Sequence, residues 1–374
     1  MLKRLRWDKF PLGLQQDFAA YLEWAAVPDP LDEDARPRAL SARTLRLQGQ
    51  HIHSAANAAV AAGAPINSLT SLAALVEPET IRALLRHLRK QAGDKATAYL
   101  HGIAITLIAV ASEWVKAPAE TVAALKAIRR KIGALPPGLT EKNKELLRTF
   151  DDPSLLIDLI QLPDRVWRAA RRKPSPWSFV DLQSALAIDI LLHAPRRMQN
   201  LSALQFERHL HWTQGRHKPV LVKLDADETK TKTEDIRELP GALGDRLQVF
   251  RNEIAPAVIG KRADFLFVRN DGKPKTQAAV ATAICKTIRR YLGIKMTPHQ
   301  FRHLCAKVIL DNNPGAHELV RQMLAHTSHK TTTAFYAGID TRRAGRAHAE
   351  LIDRLRAYNL TRSRKRRRDP PEDR

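Results

Sequence analysis

The stretch from Thr297 to Tyr336 constrains this chain most tightly. It reads TPHQFRHLCAKVIL over residues 297–310 and, after a short linker, ELVRQMLAHTSHKTTTAFY over residues 318–336. His299 and Arg302 lie three positions apart, so on a helix they share a face, about one turn from each other. Cations that grip a phosphate beside a tyrosine hydroxyl supply the chemistry that attack on a phosphodiester requires.

The same stretch predicts a helix with Thr297 as its N-cap and Pro298 as its first residue. His299 and Arg302 would then lie near the positive end of the helix dipole, which is a natural seat for a phosphate. Taken alone, the HxxR pattern is short and common, and an ordinary amphipathic helix with solvated cations is the favoured explanation.

Composition points to a polyanionic partner. The 374 residues include 62 Lys and Arg against 39 Asp and Glu, a formal charge of +23. Such an excess favours nucleic acid, because neutralising phosphates releases their counterions. The alternatives are a charge that serves only solubility, or a basic tail that touches ribosomes or membranes.

Other compositional signals concern location. The chain has two cysteines, Cys285 and Cys305, so no disulfide framework is implied. No apolar run reaches the ~18 residues of a membrane span, and no apolar region follows the basic N-terminus as in a secretory signal. We therefore expect a cytoplasmic, nucleoid-associated protein without a membrane partner.

Periodicity predicts a mainly α chain with a small antiparallel β-sheet, an α+β fold. We expect a helical domain over residues 1–165, a connection within 162–176, a second domain over 174–360, and a basic disordered tail over 361–374. The predicted elements are helices at Ser41–Ala62, Pro78–Gln91 and Thr97–Val115, a helix from Leu155 that stops near Pro163, strands at Val220–Val222, Ile236–Leu239 and Phe265–Val268, and an amphipathic helix at Arg342–Leu360. Within Thr97–Val115, the spacing of Tyr99, Ile103, Leu107 and Val110 predicts core positions.

The end of the opening stretch carries a family resemblance. Leu324-Ala325-His326 follows an apolar stripe, and Tyr336 lies ten positions after His326. This arrangement resembles the tyrosine recombinase (phage integrase) family, whose signature is HxxR, a Leu-Gly-His-like box and then a tyrosine. Ala325 replaces the usual glycine, and the step to Tyr336 is one residue longer than in many members.

The family also has an arginine in a Gly-Leu-Arg-Ile-Ser-Glu-Leu-like box and a lysine in a β-hairpin turn. The sequence HAPRRMQNLSALQF, residues 193–206, matches the box with Arg197 as the arginine. Asn200 then replaces the usual glutamate, and Arg196 is the rival assignment. Counting back eight residues from Pro240 gives Lys232 as the lysine, with Lys230 as a close second.

The resemblance implies a helical core-binding domain followed by a catalytic domain that cuts and rejoins double-stranded DNA. It implies an active site of six side chains, Arg197, Lys232, His299, Arg302, His326 and Tyr336, with Tyr336 as the nucleophile and a covalent 3′-phosphotyrosine intermediate. It implies no cofactor, and a homo-oligomer that is a dimer on a site and a tetramer in synapsis. DNA integration and a role in a mobile element are compatible with the resemblance, and the choice between integration, excision and dimer resolution stays open.

Several alternatives stay open at this point. A type IB-like topoisomerase shares the chemistry, and a non-catalytic DNA-binding protein could share the fold. The histidines at 299, 303, 326 and 329 suggest zinc, but their spacing matches no common site. The helix at Arg342–Leu360 could dock on a neighbouring protomer or on its own domain.

Overall fold

The computed structural model describes residues 4–32, 34–135, 138–172, 177–213, 217–313, 315–325 and 352. The chain divides into two compact units, Met1–Pro136 and Pro137–Arg374, each with its own hydrophobic core. Helices dominate both units and the second also holds a small antiparallel sheet, which confirms the predicted fold class. Within the described ranges, no helix has the length and apolar character needed to cross a membrane.

Helices dominate the described residues of the first unit. These are α1 (Leu12–Ala26), α2 (Ala42–Ala61), α3 (Leu72–Leu75), α4 (Pro78–Gln91), α5 (Ala98–Ala109) and α6 (Ala119–Arg130). The Ser41 hydroxyl caps α2 by accepting a hydrogen bond from the Thr44 N–H. Pro78 occupies the first position of α4, as predicted.

One predicted core residue of the first unit is exposed. Ile103, Leu107 and Val110 are fully buried, whereas Tyr99 is 49% exposed. Leu100 is buried in its place, because the inward stripe of α5 runs through positions 100, 103 and 107. The prediction for Tyr99 was therefore wrong by one helical position.

The second unit combines helices with a three-stranded sheet. The helices are α7 (Glu141–Thr149), α8 (Pro153–Arg172), α9 (Ser178–His193), α10 (Met198–Ser202), α11 (Phe206–His209), α12 (Gly241–Val249), α13 (Ala255–Ile259), α14 (Gln277–Leu292), α15 (Gln300–Asn312) and α16 (His317–Met323). The strands are β1 (Leu210–Trp212), β2 (Val220–Leu224) and β3 (Asp235–Leu239), antiparallel in that order. The hairpin of β2 and β3 was predicted.

The division between the units lies earlier in the chain than the sequence indicated. The predicted boundary at residue 165 falls inside α8, and both α7 and α8 contribute buried residues to the second core. α8 also continues through Pro163, where the sequence predicted its end. Pro163 is buried on the packed face of α8, and this packing outweighs the ~3 kcal/mol that a proline costs inside a helix.

The predicted strand at Phe265–Val268 is absent from the structure. Its two ends form single bridges, Phe265 to Gln205 and Val268 to Pro274, without a continuous ladder. The segment is nevertheless buried from Leu266 to Val268. Its residues are apolar because they pack in the core, and not because they pair in a sheet.

Candidate active site

A turn directly before α15 carries His299. The side chain of Gln300 holds this turn: its Oε1 accepts from the Thr297 N–H at 2.8 Å, and its Nε2 donates to Asn143 Oδ1 at 3.0 Å. Each carbonyl in this turn accepts a hydrogen bond from the N–H three residues later, as holds for Thr297, Pro298 and His299. This spacing is that of a 3₁₀ turn. α15 consequently starts at Gln300, two residues later than predicted.

Arg302 lies in the first turn of α15 and is anchored in the interior, with only 6% of its surface exposed. Its Nη1 donates to Pro195 O at 2.8 Å, and its Nη2 donates to Leu324 O. Pro195 stands two residues before Arg197, and Leu324 caps α16. The Arg302 guanidinium thus connects three segments that the sequence analysis identified separately: its own helix, the segment before Arg197 and the end of α16.

Arg197 and its rival Arg196 occupy different environments. Arg197 is half-buried and is the N-cap residue of α10. Arg196 is 4% exposed and donates to Asp235 Oδ2 at 2.8 Å and to Val222 O at 2.9 Å. Burial lowers the pKa of Arg196 to about 10, against the opposing effect of Asp235, so the guanidinium stays charged at neutral pH. Arg196 therefore supports the sheet from within, and Arg197 is the more accessible arginine.

Asp235 and Arg237 were not singled out from the sequence. They alternate along β3 and so face the same side of the sheet as the buried Leu239. Arg237 Nε donates to Asp235 Oδ1 at 2.7 Å, which makes Asp235 the bridge between two arginines. The period-two pattern of β3 is the sequence signal that could have found this pair.

The loop between β2 and β3 carries both candidate lysines. Thr229 organises it: its hydroxyl lies 2.7 Å from Thr233 O and accepts from the Thr233 N–H at 3.1 Å. Lys232 stands in the left-handed backbone region, with φ of 56°, and its Nζ lies 3.3 Å from Asp227 O. Lys230 and Lys232 are both exposed on this loop, so the structure leaves the choice between them as a prediction.

Three carboxylates gather on the same loop, with Asp225, Asp227 and Glu228 within 4.8 Å of one another. Glu228 accepts hydrogen bonds from His209 Nε2 and from the Asp225 N–H, both at 3.0 Å. Asp225 and Glu228 also form the capping box of a 3₁₀ turn. We interpret this group as the fastening of the loop.

His299 has the electrostatic environment of a proton acceptor. Partial burial, followed by the charges of Arg302 and Arg197, lowers its pKa below the ordinary value of 6.5. The neutral imidazole is therefore the dominant form at pH 7. Its ring also meets His303 edge-on, with ring centroids 5.2 Å apart.

These segments surround one cleft of about 390 Å³, part of it open to solvent. Among the described residues that line it are four arginines, Arg196, Arg197, Arg237 and Arg302, and one carboxylate, Asp235. Thr229 and Thr231 of the hairpin loop complete its rim. Arg196 and Arg237 are both paired with Asp235. Arg197 and Arg302 give the cleft the guanidinium groups that suit a phosphate, which arginine binds with a bidentate fork.

The cleft brings together Arg197 and Arg302, with His299 within electrostatic range and the loop of Lys232 at its rim. Two predicted site residues, His326 and Tyr336, lie outside the described residues, as does His329. The described range 315–325 ends beside the cleft at Ala325, which lines it and directly precedes His326.

A known family matches the part of the chain that forms this cleft. Residues 171–343 match the model of the phage integrase family, and this range includes every predicted site residue. Residues 171–343 of the chain belong to the phage integrase family. This part of the chain is a tyrosine recombinase domain, and the activity of its family is DNA strand transfer, as the sequence signature indicated. A comparison with curated protein sequences gives no match.

Solved structures show the tyrosine recombinase fold over most of the chain. XerH site-specific recombinase on palindromic difH substrate, a post-cleavage complex, is 13% identical, with a TM-score of 0.51, 91% of this chain and 98% of that chain covered. The XerH pre-cleavage complex is 12% identical, with a TM-score of 0.42 and coverages of 87% and 94%. XerA recombinase is 15% identical, with a TM-score of 0.32 and coverages of 85% and 91%. At these identities the likeness concerns the fold.

At Ala325, where this chain departs from the family's glycine, the backbone is strained. Ala325 has φ of 47°, the left-handed region that glycine adopts readily and other residues avoid. Its N–H donates to Gln322 O at 3.1 Å and so closes the end of α16. The usual glycine of the Leu-Gly-His box fits such a C-terminal turn without strain.

Proposed function

We propose that the cleft is the strand-transfer site of this tyrosine recombinase, formed by Arg197, Lys232, His299, Arg302, His326 and Tyr336. The observation that carries the proposal is the convergence of Arg197 and Arg302, from distant parts of the chain, on one cleft beside His299. Two guanidinium groups on the non-bridging oxygens would stabilise the charge that builds up as phosphorus is attacked.

The reaction is a transesterification. The Tyr336 oxygen attacks phosphorus, the bond to the 5′-oxygen breaks, and a 3′-phosphotyrosine ester links protein and DNA. Because one phosphodiester-type bond replaces another, a 5′-hydroxyl from a second strand can reverse the step. No nucleotide is consumed in this scheme.

Two protons must move during cleavage. A phenol has an ordinary pKa near ~10, so Tyr336 loses its proton as it attacks, and neutral His299 accepts it. The 5′-oxygen leaves as an alkoxide unless it gains a proton, and Lys232 on the hairpin loop is the donor. His326 hydrogen-bonds the scissile phosphate.

We propose double-stranded DNA as the substrate, bound by a dimer at each site and by a tetramer in synapsis. The XerH structure with the shared fold is described as bound to a palindromic difH substrate, and a palindrome presents two equivalent half-sites. The formal charge of +23 supports a DNA partner for the whole chain. Integration or service in a mobile element is one use of such chemistry, and the protein would act at the nucleoid.

The first unit offers a surface for the DNA backbone. Lys126, Arg129 and Arg130 are exposed along α6 and line a shallow hollow with His101 and Gly133. His101 Nε2 lies 2.9 Å from Gly133 O, which holds the hollow in shape. We propose that this surface contacts phosphates, where Lys and Arg supply affinity without reading sequence.

The proposal is tested by trapping the covalent intermediate. A pool of nicked duplexes with a randomised central segment is incubated with the purified protein, and members that stay attached under denaturing conditions are selected. A selected member then serves as suicide substrate. The wild type should form an adduct on it, and Tyr336→Phe should form none while it still binds the duplex.

Two results would contradict the proposal. Adducts that persist in Tyr336→Phe would show that another residue is the nucleophile. Relaxation of supercoiled plasmid without any dependence on sequence would assign the chemistry to a topoisomerase.

A further inference from the structure

Arg237 contacts the end of α16 from the sheet. Its Nη2 donates to Gln322 O at 2.8 Å, and its Nη1 lies 3.7 Å from Met323 Sδ. Arg302 donates to Leu324 O in the same turn. The last carbonyls of a helix lack intrahelical partners, and cations there are favourable, so both arginines stabilise this end of α16.

The turn that they hold is strained. Ala325 adopts φ of 47°, which costs a non-glycine residue a factor of about 5 to 30 in equilibrium. Gln322 O accepts both the Ala325 N–H, at 3.1 Å, and the Arg237 guanidinium. The contact from Arg237 therefore falls on the same carbonyl that closes the strained turn.

Arg237 is itself held in place by the buried network. Asp235 accepts its Nε through one oxygen and Arg196 through the other, and Arg196 is fixed to Val222 O in β2. A chain of charged hydrogen bonds thus connects the turn at the end of α16 to the sheet and fixes its position.

We propose that Arg237 is a positioning residue for strand transfer, which holds the turn at Ala325 and thereby aims the segment that starts at His326. Arg237 acts through the backbone of residues 322–325 and not through the phosphate. This inference rests on the proposed active site, because His326 and Tyr336 follow this turn in the chain.

The test is a double-mutant cycle between Arg237→Gln and Ala325→Gly, read by the single-turnover cleavage rate at saturating suicide substrate. Arg237→Gln should slow cleavage about 10–100-fold, since small misplacements of reacting groups have effects of this size. Its DNA affinity should stay within about twofold of the wild type. Ala325→Gly should restore at least about fivefold of the lost rate in the Arg237→Gln background, because glycine holds the same φ without strain.

Matched variants separate positioning from general effects. Ala316→Gly alters the opposite end of the same helix, where φ is −72°, and should give no rescue. Arg237→Lys keeps the charge and a donor, so it should retain more activity than Arg237→Gln. If Arg237→Gln does not fold, the cycle is run with Arg237→Lys, which must show the same coupling with Ala325→Gly.

Each contrary result has a distinct meaning. An unchanged rate in Arg237→Gln, or a loss that glycine at 325 does not relieve, overturns the inference. A drop in DNA affinity with a shallower salt dependence assigns Arg237 to the phosphate instead. Tyr336→Phe is measured alongside: adducts in that variant refute the proposed function, whereas their loss without coupling between 237 and 325 refutes this inference alone.

Discussion

Replacing Asp235 with asparagine tests the charge network beneath the cleft. Asp235 accepts from Arg196 Nη1 at 2.8 Å and from Arg237 Nε at 2.7 Å, and its side chain is only 20% exposed. Asparagine has nearly the same shape, so the change removes the negative charge and one acceptor. Two guanidinium groups then remain without their carboxylate.

The expected loss of stability follows from the burial of Arg196, which is 4% exposed. Removal of one partner from a buried ion pair costs about 3–5 kcal/mol, and we expect the lower end because asparagine keeps one acceptor oxygen. For a unit of this size, 1 kcal/mol shifts Tm by about 2–4 °C. Asp235→Asn should therefore lower the Tm of the second unit by roughly 6–12 °C.

Differential scanning calorimetry on the full chain measures this shift, with Asp271→Asn as the matched control. Asp271 pairs with Arg269 at 2.9 Å, but the two side chains are 42% and 62% exposed. Such surface pairs contribute at most about 1 kcal/mol, so this variant should melt close to the wild type. If Asp235→Asn melts no lower than the control, the buried network does not stabilise the fold as argued.

Further predictions concern the chemistry. Because the pKa of His299 is lowered from 6.5, cleavage should persist below pH 6.5 and fall only as the neutral imidazole is protonated at lower pH. Arg197→Ala removes one of the charges that lower this pKa, so it should move the inflection of the pH–rate profile to higher pH. Lys232→Ala should slow cleavage by about 10²–10⁴-fold and Lys230→Ala far less, and the reverse ranking would assign the proton donor to Lys230. A substrate with a bridging 5′-phosphorothiolate should relieve the Lys232→Ala defect, because its thiolate leaves without a proton. The pair Arg129→Glu and Arg130→Glu should weaken binding to all duplexes alike and lower the slope of log K against log salt by about 2 or more, and an unchanged slope would remove this surface from the DNA interface.

Local patterns carried much of the fold. Ser41 and Pro78 mark helix starts by their own chemistry, and the alternation on either side of the Lys/Thr-rich turn predicts the β2–β3 hairpin. The HxxR spacing likewise placed His299 and Arg302 within one turn of each other. In each case the determining interaction lies within a few residues.

Features that depend on partners far away in the chain could not be predicted from the sequence. Pro163 continues a helix because the second core packs on it, and the place of the unit boundary follows from that same packing. Gln300 holds the turn of His299 with help from Asn143, a partner far away in the chain. The roles of Asp235 and Arg237 depend on their contacts with Arg196 and with the end of α16, both of which lie far from β3 in the chain.

During cleavage, Tyr336 should become covalently joined to DNA in the cleft of Arg197 and Arg302. Mass spectrometry of the trapped adduct after nuclease and trypsin digestion tests it most directly, because trypsin releases Tyr336 in the peptide Thr331–Arg342. We expect a nucleotide on Tyr336 and on none of the other four of the chain's 5 tyrosines. A nucleotide on another residue, or an adduct of unchanged yield in Arg302→Ala, would contradict it.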